Sequence, residues 1–99
     1  MTIILLMSTW IRADGTVTVV EPENGSTYNL KELNDFVGGF IEIVYLSDEQ
    51  VMVLNEEGKL NDLPFNALAT KLAHATFRDY SVDDYIFGDV LVCQADEIE

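Results

Sequence analysis

Lys59, Lys71, His74 and Arg78 carry the scarcest chemistry in this chain. Five residues are Lys or Arg, against eighteen Asp or Glu, and three of the five fall between positions 59 and 78. On a continuous helix Lys71, His74 and Arg78 stand at steps of three and four and share one face, with Arg78 close to the helix end. Lys59 precedes them in the loop "NEEGKL", which begins at Asn55, and Asn66 follows it. Ammonium and guanidinium groups grip phosphate, and Asn amides read base edges or ribose. Asn55, Lys59, Asn66, Lys71, His74 and Arg78 are therefore the candidate ligand-binding residues, suited to a small anion. The competing reading is a solvated helix face that pairs with nearby acids.

A second constellation is aromatic and acidic. Phe77, Tyr80, Tyr85 and Phe87 are interleaved with Asp79, Asp83 and Asp84. Asp79, Tyr80, Asp83, Asp84 and Tyr85 are the candidate protein-interaction residues, with Asp89 as a further presenter of charge. The alternative is that these rings close the end of a sheet. No catalytic residue is assigned. Walker and dinucleotide-binding glycine patterns are absent, and the Gly pair of "VGGF" fits a helix cap better than a phosphate cradle. His74 and Cys93 are the only His and Cys, too few for a zinc site of the usual kind, so no metal and no cofactor is expected. Cys93, within "VLVC", fits an inert core thiol better than the nucleophile of a Cys–His pair. Glu56–Glu57, Asp83–Asp84 and Asp96–Glu97 are neighbours whose side chains point apart, and "NEEGKL" lacks the length and alternation of a calcium loop.

The elements that must position these residues are an α+β set. Residues 2–11 are apolar and fit a strand, "RADG" turns the chain, and "TVTVV" alternates as a strand. Asn29 with Glu32 three residues later forms a capping box for a helix over 30–37, with Leu30, Leu33 and Val37 on one face and Gly38 as a left-handed stop. "FIEIVYL" and "VMVL" are strands joined by "SDEQ". Phe65, Leu68, Leu72 and Ala75 mark an amphipathic helix over 65–76. "DVLVC" is a last strand. Within "NEEGKLNDLPFNALA", Gly58 is expected to supply a positive φ, Leu60 and Leu63 to reach the core, and Pro64 or Asn66 to start the helix. That leaves Asn55, Lys59 and Asn66 with no evident structural duty. The expectation is one α+β domain over 1–99 with a mostly antiparallel sheet, two short helices, an N-terminal strand extension at 1–13 and a frayed acidic tail at 94–99.

Composition bounds the function. The chain has 99 residues, 48% of them hydrophobic, and a formal charge of −13. A domain of this size buries roughly 60–70% of its unfolded surface, so a true core is expected. The acidic excess argues against direct binding to nucleic acid or to anionic membrane. It permits the reverse, a protein that imitates a polyanion. One cysteine fits a reducing cytosol. "MTIILLM" has no basic residue before it and is far below the ~20 residues of a membrane helix.

Three blocks, "DGTVTVVEPENGSTYNLKELNDFVGGFIEIV", "VMVLNEEGKLNDLPFNALAT" and "DYIFGDVLVC", resemble a family of small bacterial, phage and conjugative-element proteins described as a domain of unknown function. The resemblance covers residues 14–93 in order. It implies a cytosolic, often phage-encoded protein and supplies no catalytic residues. Relatives often carry Arg where this chain has Ala67, and "MTIILLMSTW" precedes the shared part as an apolar extension.

Two functions fit these observations. The first is a phage-type counter-defence protein, not an enzyme, that sequesters an anionic small molecule such as a nucleotide immune signal. The second is an acidic interaction module that inhibits a host defence enzyme by presenting carboxylates as nucleic acid presents phosphates. A homo-oligomer is expected, because exposed aromatics in a short chain favour such interfaces. A small enzyme is the third and weakest reading.

Overall fold

The computed structural model describes residues 8–76 and 85–99. Five strands form one antiparallel sheet: β1 (Thr9–Ile11), β2 (Val17–Val19), β3 (Ile41–Tyr45), β4 (Gln50–Asn55) and β5 (Val90–Gln94), in the order β2-β1-β5-β4-β3. Two hairpins, β1–β2 and β3–β4, thus flank a central β5, and the α+β reading holds. The first hairpin closes as its sequence predicts. Gly15 sits at φ +95, and its N–H donates to the Arg12 carbonyl at 2.9 Å.

Helix α1 (Leu30–Val37) forms for local reasons that the sequence states. The Asn29 side chain accepts from the Glu32 N–H at 2.9 Å, and Glu32 accepts from the Asn29 N–H at 3.0 Å. Gly38, at φ +78, ends the helix. The Trp10 indole of β1 donates to the Phe36 carbonyl at 3.1 Å and meets the Phe36 ring edge-on at 5.3 Å. Leu33 and Val37 are buried, whereas Leu30 is 62% exposed.

Helix α2 (Ala67–Thr76) lies against the opposite face of the sheet. Its buried residues are Ala69, Thr70 and Ala73, with Leu72 packed alongside. Phe65 and Leu68 are instead nearly half exposed, and Ala75 faces solvent. The expected apolar stripe is rotated by one position: the small side chains of α2 face the sheet and the larger ones ride outside. Alternation along the strands builds two separate cores. Val44, Met52, Leu54, Val90 and Val92 face α2, while Val51, Val53, Leu91 and Cys93 face α1.

The acidic tail is ordered, contrary to the expectation that it frays. Residues Ala95–Glu97 form a 3-10 turn. Tyr28 donates its N–H to the Glu97 carbonyl at 2.7 Å and accepts from the Glu99 N–H at 3.1 Å. The Glu97 carboxylate takes hydrogen bonds from the Ser8 hydroxyl and the Gln94 N–H. Ala95 and Ile98 pack on the α1-side core. Apolar burial together with a two-sided backbone pairing outweighs the repulsion of the acids.

Two titratable groups lie inside that core. Burial pushes the Cys93 thiol up to about 12, with Glu97 and Asp96 adding to the effect. Burial also pushes the Tyr28 hydroxyl up to about 12, partly offset by Ser8. Both shifts favour the protonated native state. Their contribution to stability is therefore constant below the ordinary thiol value of 9.0. Above it the unfolded chain sheds protons that the native chain keeps, so the urea midpoint should fall steadily toward pH 12. In the native state at neutral pH, Cys93 should resist a thiol reagent that labels it at once in urea. Truncation after Gln94 should cost about 2–4 kcal/mol, read from the unfolding midpoint, because it strips the cover from Tyr28.

Candidate functional site

Asn55, at the end of β4, lines a groove of about 420 Å³. Glu42 and Leu54 of the β3–β4 hairpin line it, with Glu56, Gly58, Lys59 and Leu60 from the following turns, and Tyr85 and Phe87 opposite. The ring of Phe65 meets Tyr85 and Phe87 edge-on, each at 5.9 Å. His74 of α2 stacks at a tilt 6.1 Å from Tyr85.

The turns are built differently from the sequence-based expectation. Gly58 does not take a positive φ; the left-handed residue is Asp62, at φ +54. Gly58 is required by space, since a Cβ there would meet the Phe87 carbonyl oxygen at 2.7 Å. Leu60 does not reach the core and is 82% exposed. Leu63 is half-buried, with Cδ1 2.8 Å from the position a Cβ on Gly88 would take.

Asn55 and Asn66, read as free of structural duty, both have one. Asn55 is buried; its amide donates to the Val37 carbonyl at 3.1 Å, and its oxygen accepts from the Glu57 N–H at 2.8 Å. It thereby satisfies a carbonyl left over at the end of α1 and fixes the following turn. A Cβ on Gly39 would meet the Asn55 amide nitrogen at 2.9 Å, so the "VGG" pair accommodates this approach. Asn66 is buried as well. Its oxygen caps α2 by accepting from the Ala69 N–H at 3.0 Å, and its amide donates to the Ile11 and Gly88 carbonyls at 3.0 and 2.9 Å. Both amide hydrogens of Asn66 are engaged on backbone carbonyls, and the Asn55 amide is engaged on that of Val37.

Of the other candidates, Lys59 lines the groove and Lys71 stands exposed on α2, away from it. Arg78, Asp79, Tyr80, Asp83 and Asp84 lie outside the described residues, as does Phe77. Tyr85 lies in the groove, 47% exposed. Asp89 is half-buried and accepts from the Ala13 N–H. The groove is therefore lined by Lys59 together with two carboxylates, Glu42 and Glu56, a grouping the loop sequence alone did not reveal. Its local charge is not that of an anion site. Cys93 and His74 lie on opposite sides of the sheet, so no Cys–His pair exists. Among the described residues no three His, Cys, Asp or Glu converge as a metal set. No helix among them is long and apolar enough to cross a membrane.

A second cleft, of about 450 Å³, was not anticipated. It is lined by Trp10 and Phe36 and by the acids Glu21, Glu23, Glu32 and Asp35. Arg12 covers one Trp10 face at 4.1 Å, and Lys31 pairs with Asp35 at 3.0 Å. The four acids are spread over residues 21–35, and only the docking of α1 on β1 unites them.

Asn66→Ala should leave the Ile11 and Gly88 carbonyls and the Ala69 N–H without their partner. A loss of about 2–4 kcal/mol in chemical denaturation is expected. Lys59→Ala should change stability by less than about 0.5 kcal/mol.

No curated protein matches this chain. No solved structure matches it. A family profile described as "Domain of unknown function (DUF3846)" matches residues 9–99. The match takes in the β1 strand and the ordered tail, both beyond the 14–93 span of the resemblance. With its sheet, both helices and the tail inside that match, the chain belongs to the DUF3846 domain family.

Proposed function

We propose that this chain is a non-catalytic acidic interaction module that engages a basic protein surface of the kind that holds nucleic acid. In a phage setting the partner is a nucleic-acid-handling enzyme of host defence. The observation that carries the reading is how the carboxylates divide. Among the described residues, Glu32, Asp89 and Glu97 are half-buried and accept internal hydrogen bonds. The remaining described Asp and Glu are exposed. The fold uses a few of its acids and displays the rest to solvent. Sequestration of an anionic nucleotide has less support, because the Asn55 and Asn66 amides hold backbone carbonyls and the groove that Lys59 lines also carries Glu42 and Glu56.

The test is competition. Protamine bound to a fluorescent DNA duplex serves as the basic probe, and release of the duplex is read as this chain is added. Release is expected to exceed that caused by polyglutamate of equal formal charge, and to weaken about tenfold or more between about 50 and about 200 mM salt. Calorimetry with a panel of mononucleotides and cyclic dinucleotides should show no saturable heat. Release no better than polyglutamate, or nucleotide binding that Lys59→Ala abolishes, overturns the proposal.

A further inference from the structure

The two edges of the sheet are not equivalent. The β2 edge is three residues long, and Arg12 donates to the Thr18 hydroxyl at 2.7 Å, holding a charged group over it. The β3 edge is five residues long. The Glu56 N–H donates to the Phe40 carbonyl and the Leu46 N–H to the Gln50 carbonyl. With Ile41 opposite Asn55 and Tyr45 opposite Val51, the even-numbered residues of β3 bond to β4. The N–H and C=O groups of Ile41, Ile43 and Tyr45 therefore point away from the sheet, and none has a hydrogen-bond partner among the described residues.

Side chains reinforce this. Ile43 and Tyr45 are 38% and 52% exposed on the α1 side of the strand, beyond the reach of α1. Glu42 is exposed on the other side. Soluble proteins protect such edges with Lys, Pro or a bulge. Residues 40–58 contain no Lys, Arg or Pro, yet hold five acids: Glu42, Asp48, Glu49, Glu56 and Glu57. All five are exposed. Pairing two copies at this edge would bring two such hairpins together, and their repulsion disfavours it.

We propose that β3 is a docking edge, to which an extended segment of a basic partner adds as a sixth strand beside Ile41–Tyr45. This rests on the acidic-module reading and gives it a mode of binding. Main-chain hydrogen bonds to Ile41, Ile43 and Tyr45 supply affinity, and alternation supplies selectivity. Apolar residues of the segment lie beside Ile43 and Tyr45, and its Arg or Lys residues lie beside Glu42. The fitting sequence thus alternates basic and apolar.

The probe is a blocked peptide of about seven residues that alternates arginine and valine, long enough to span a strand. Binding is followed by fluorescence anisotropy and by amide hydrogen exchange resolved by NMR. The expected result is binding that protects the Ile41, Ile43 and Tyr45 amides. Ile43→Pro, which removes an outward N–H, should abolish it. The double variant Ile43→Lys/Tyr45→Lys, altered only at exposed side chains, should weaken it about tenfold or more. Circular dichroism checks that each variant is folded, and the lysine variant decides the matter if the proline variant is not. Binding that ignores both variants, with protection elsewhere, overturns the docking edge and leaves the acidic module standing. Absence of binding at low salt overturns both. A mass that doubles with concentration and returns to monomer in the lysine variant makes the occupant a second copy and overturns the basic partner.

Discussion

Three pieces of this chain that are far apart in sequence meet at one carboxamide. Asn66 holds the carbonyl of Ile11 at the end of β1, the carbonyl of Gly88 just before β5, and the first turn of α2. Its own N–H donates to the Ile86 carbonyl, and the Gly88 N–H donates to the Pro64 carbonyl. The Ile86 N–H completes the join on the Thr70 hydroxyl at 2.8 Å. These bonds fix where α2 starts, how β5 enters between the hairpins, and where Tyr85 and Phe87 stand. All lie in a low-dielectric setting where a lost partner costs more than the bond itself returns. The wall of the groove is thus a by-product of how the fold is tied together.

That explains why the two most ligand-like Asn residues of the sequence already hold backbone groups. Asn is chosen at positions 55 and 66 for the same property that suggests recognition, an amide that both donates and accepts. Inside the protein the nearest unsatisfied groups are backbone, and the accounting of buried polar groups is close to complete. Two Asn residues on either side of a turn-rich loop therefore read equally well as a site or as two knots. Only their burial separates these, and burial is a property of the whole fold.

Legibility followed the range of the interactions. The α1 helix was readable to the residue, because Asn29, Glu32 and Gly38 lie within ten positions and act on one another. Four strands were readable from apolar runs and alternation, with boundaries shifted by one residue; of the first, read over 2–11, residues 2–7 lie outside the described residues and β1 begins at Thr9. Gly58 was misread because its constraint comes from Phe87, far along the chain, and not from its own φ. Leu60 was misread because an apolar residue in a loop carries no mark of which way the loop faces. The tail was misread because its partner, Tyr28, is some seventy residues away. Of the groove lining, Asn55, Lys59 and Tyr85 are residues the sequence singles out; Glu42 and Glu56 were hidden among many equivalent acids until the fold placed them in the same groove.

The same acids bear on what an open sheet edge can pair with. An exposed strand with alternating Ile41, Ile43 and Tyr45 would ordinarily recruit further copies, since backbone pairing is indifferent to sequence. Charge is the remaining selector. A hairpin carrying five carboxylates and no cation repels its own kind, and repulsion between like hairpins acts at just the distance where pairing begins. The same field attracts a strand of opposite charge. Repulsion of like hairpins and attraction of a basic strand then have one physical source, and they differ only in the sign of what approaches. A surface acidic everywhere would attract any cation weakly. A surface acidic beside unpaired N–H and C=O groups discriminates further, because only an extended basic chain satisfies both the charge and the hydrogen bonds.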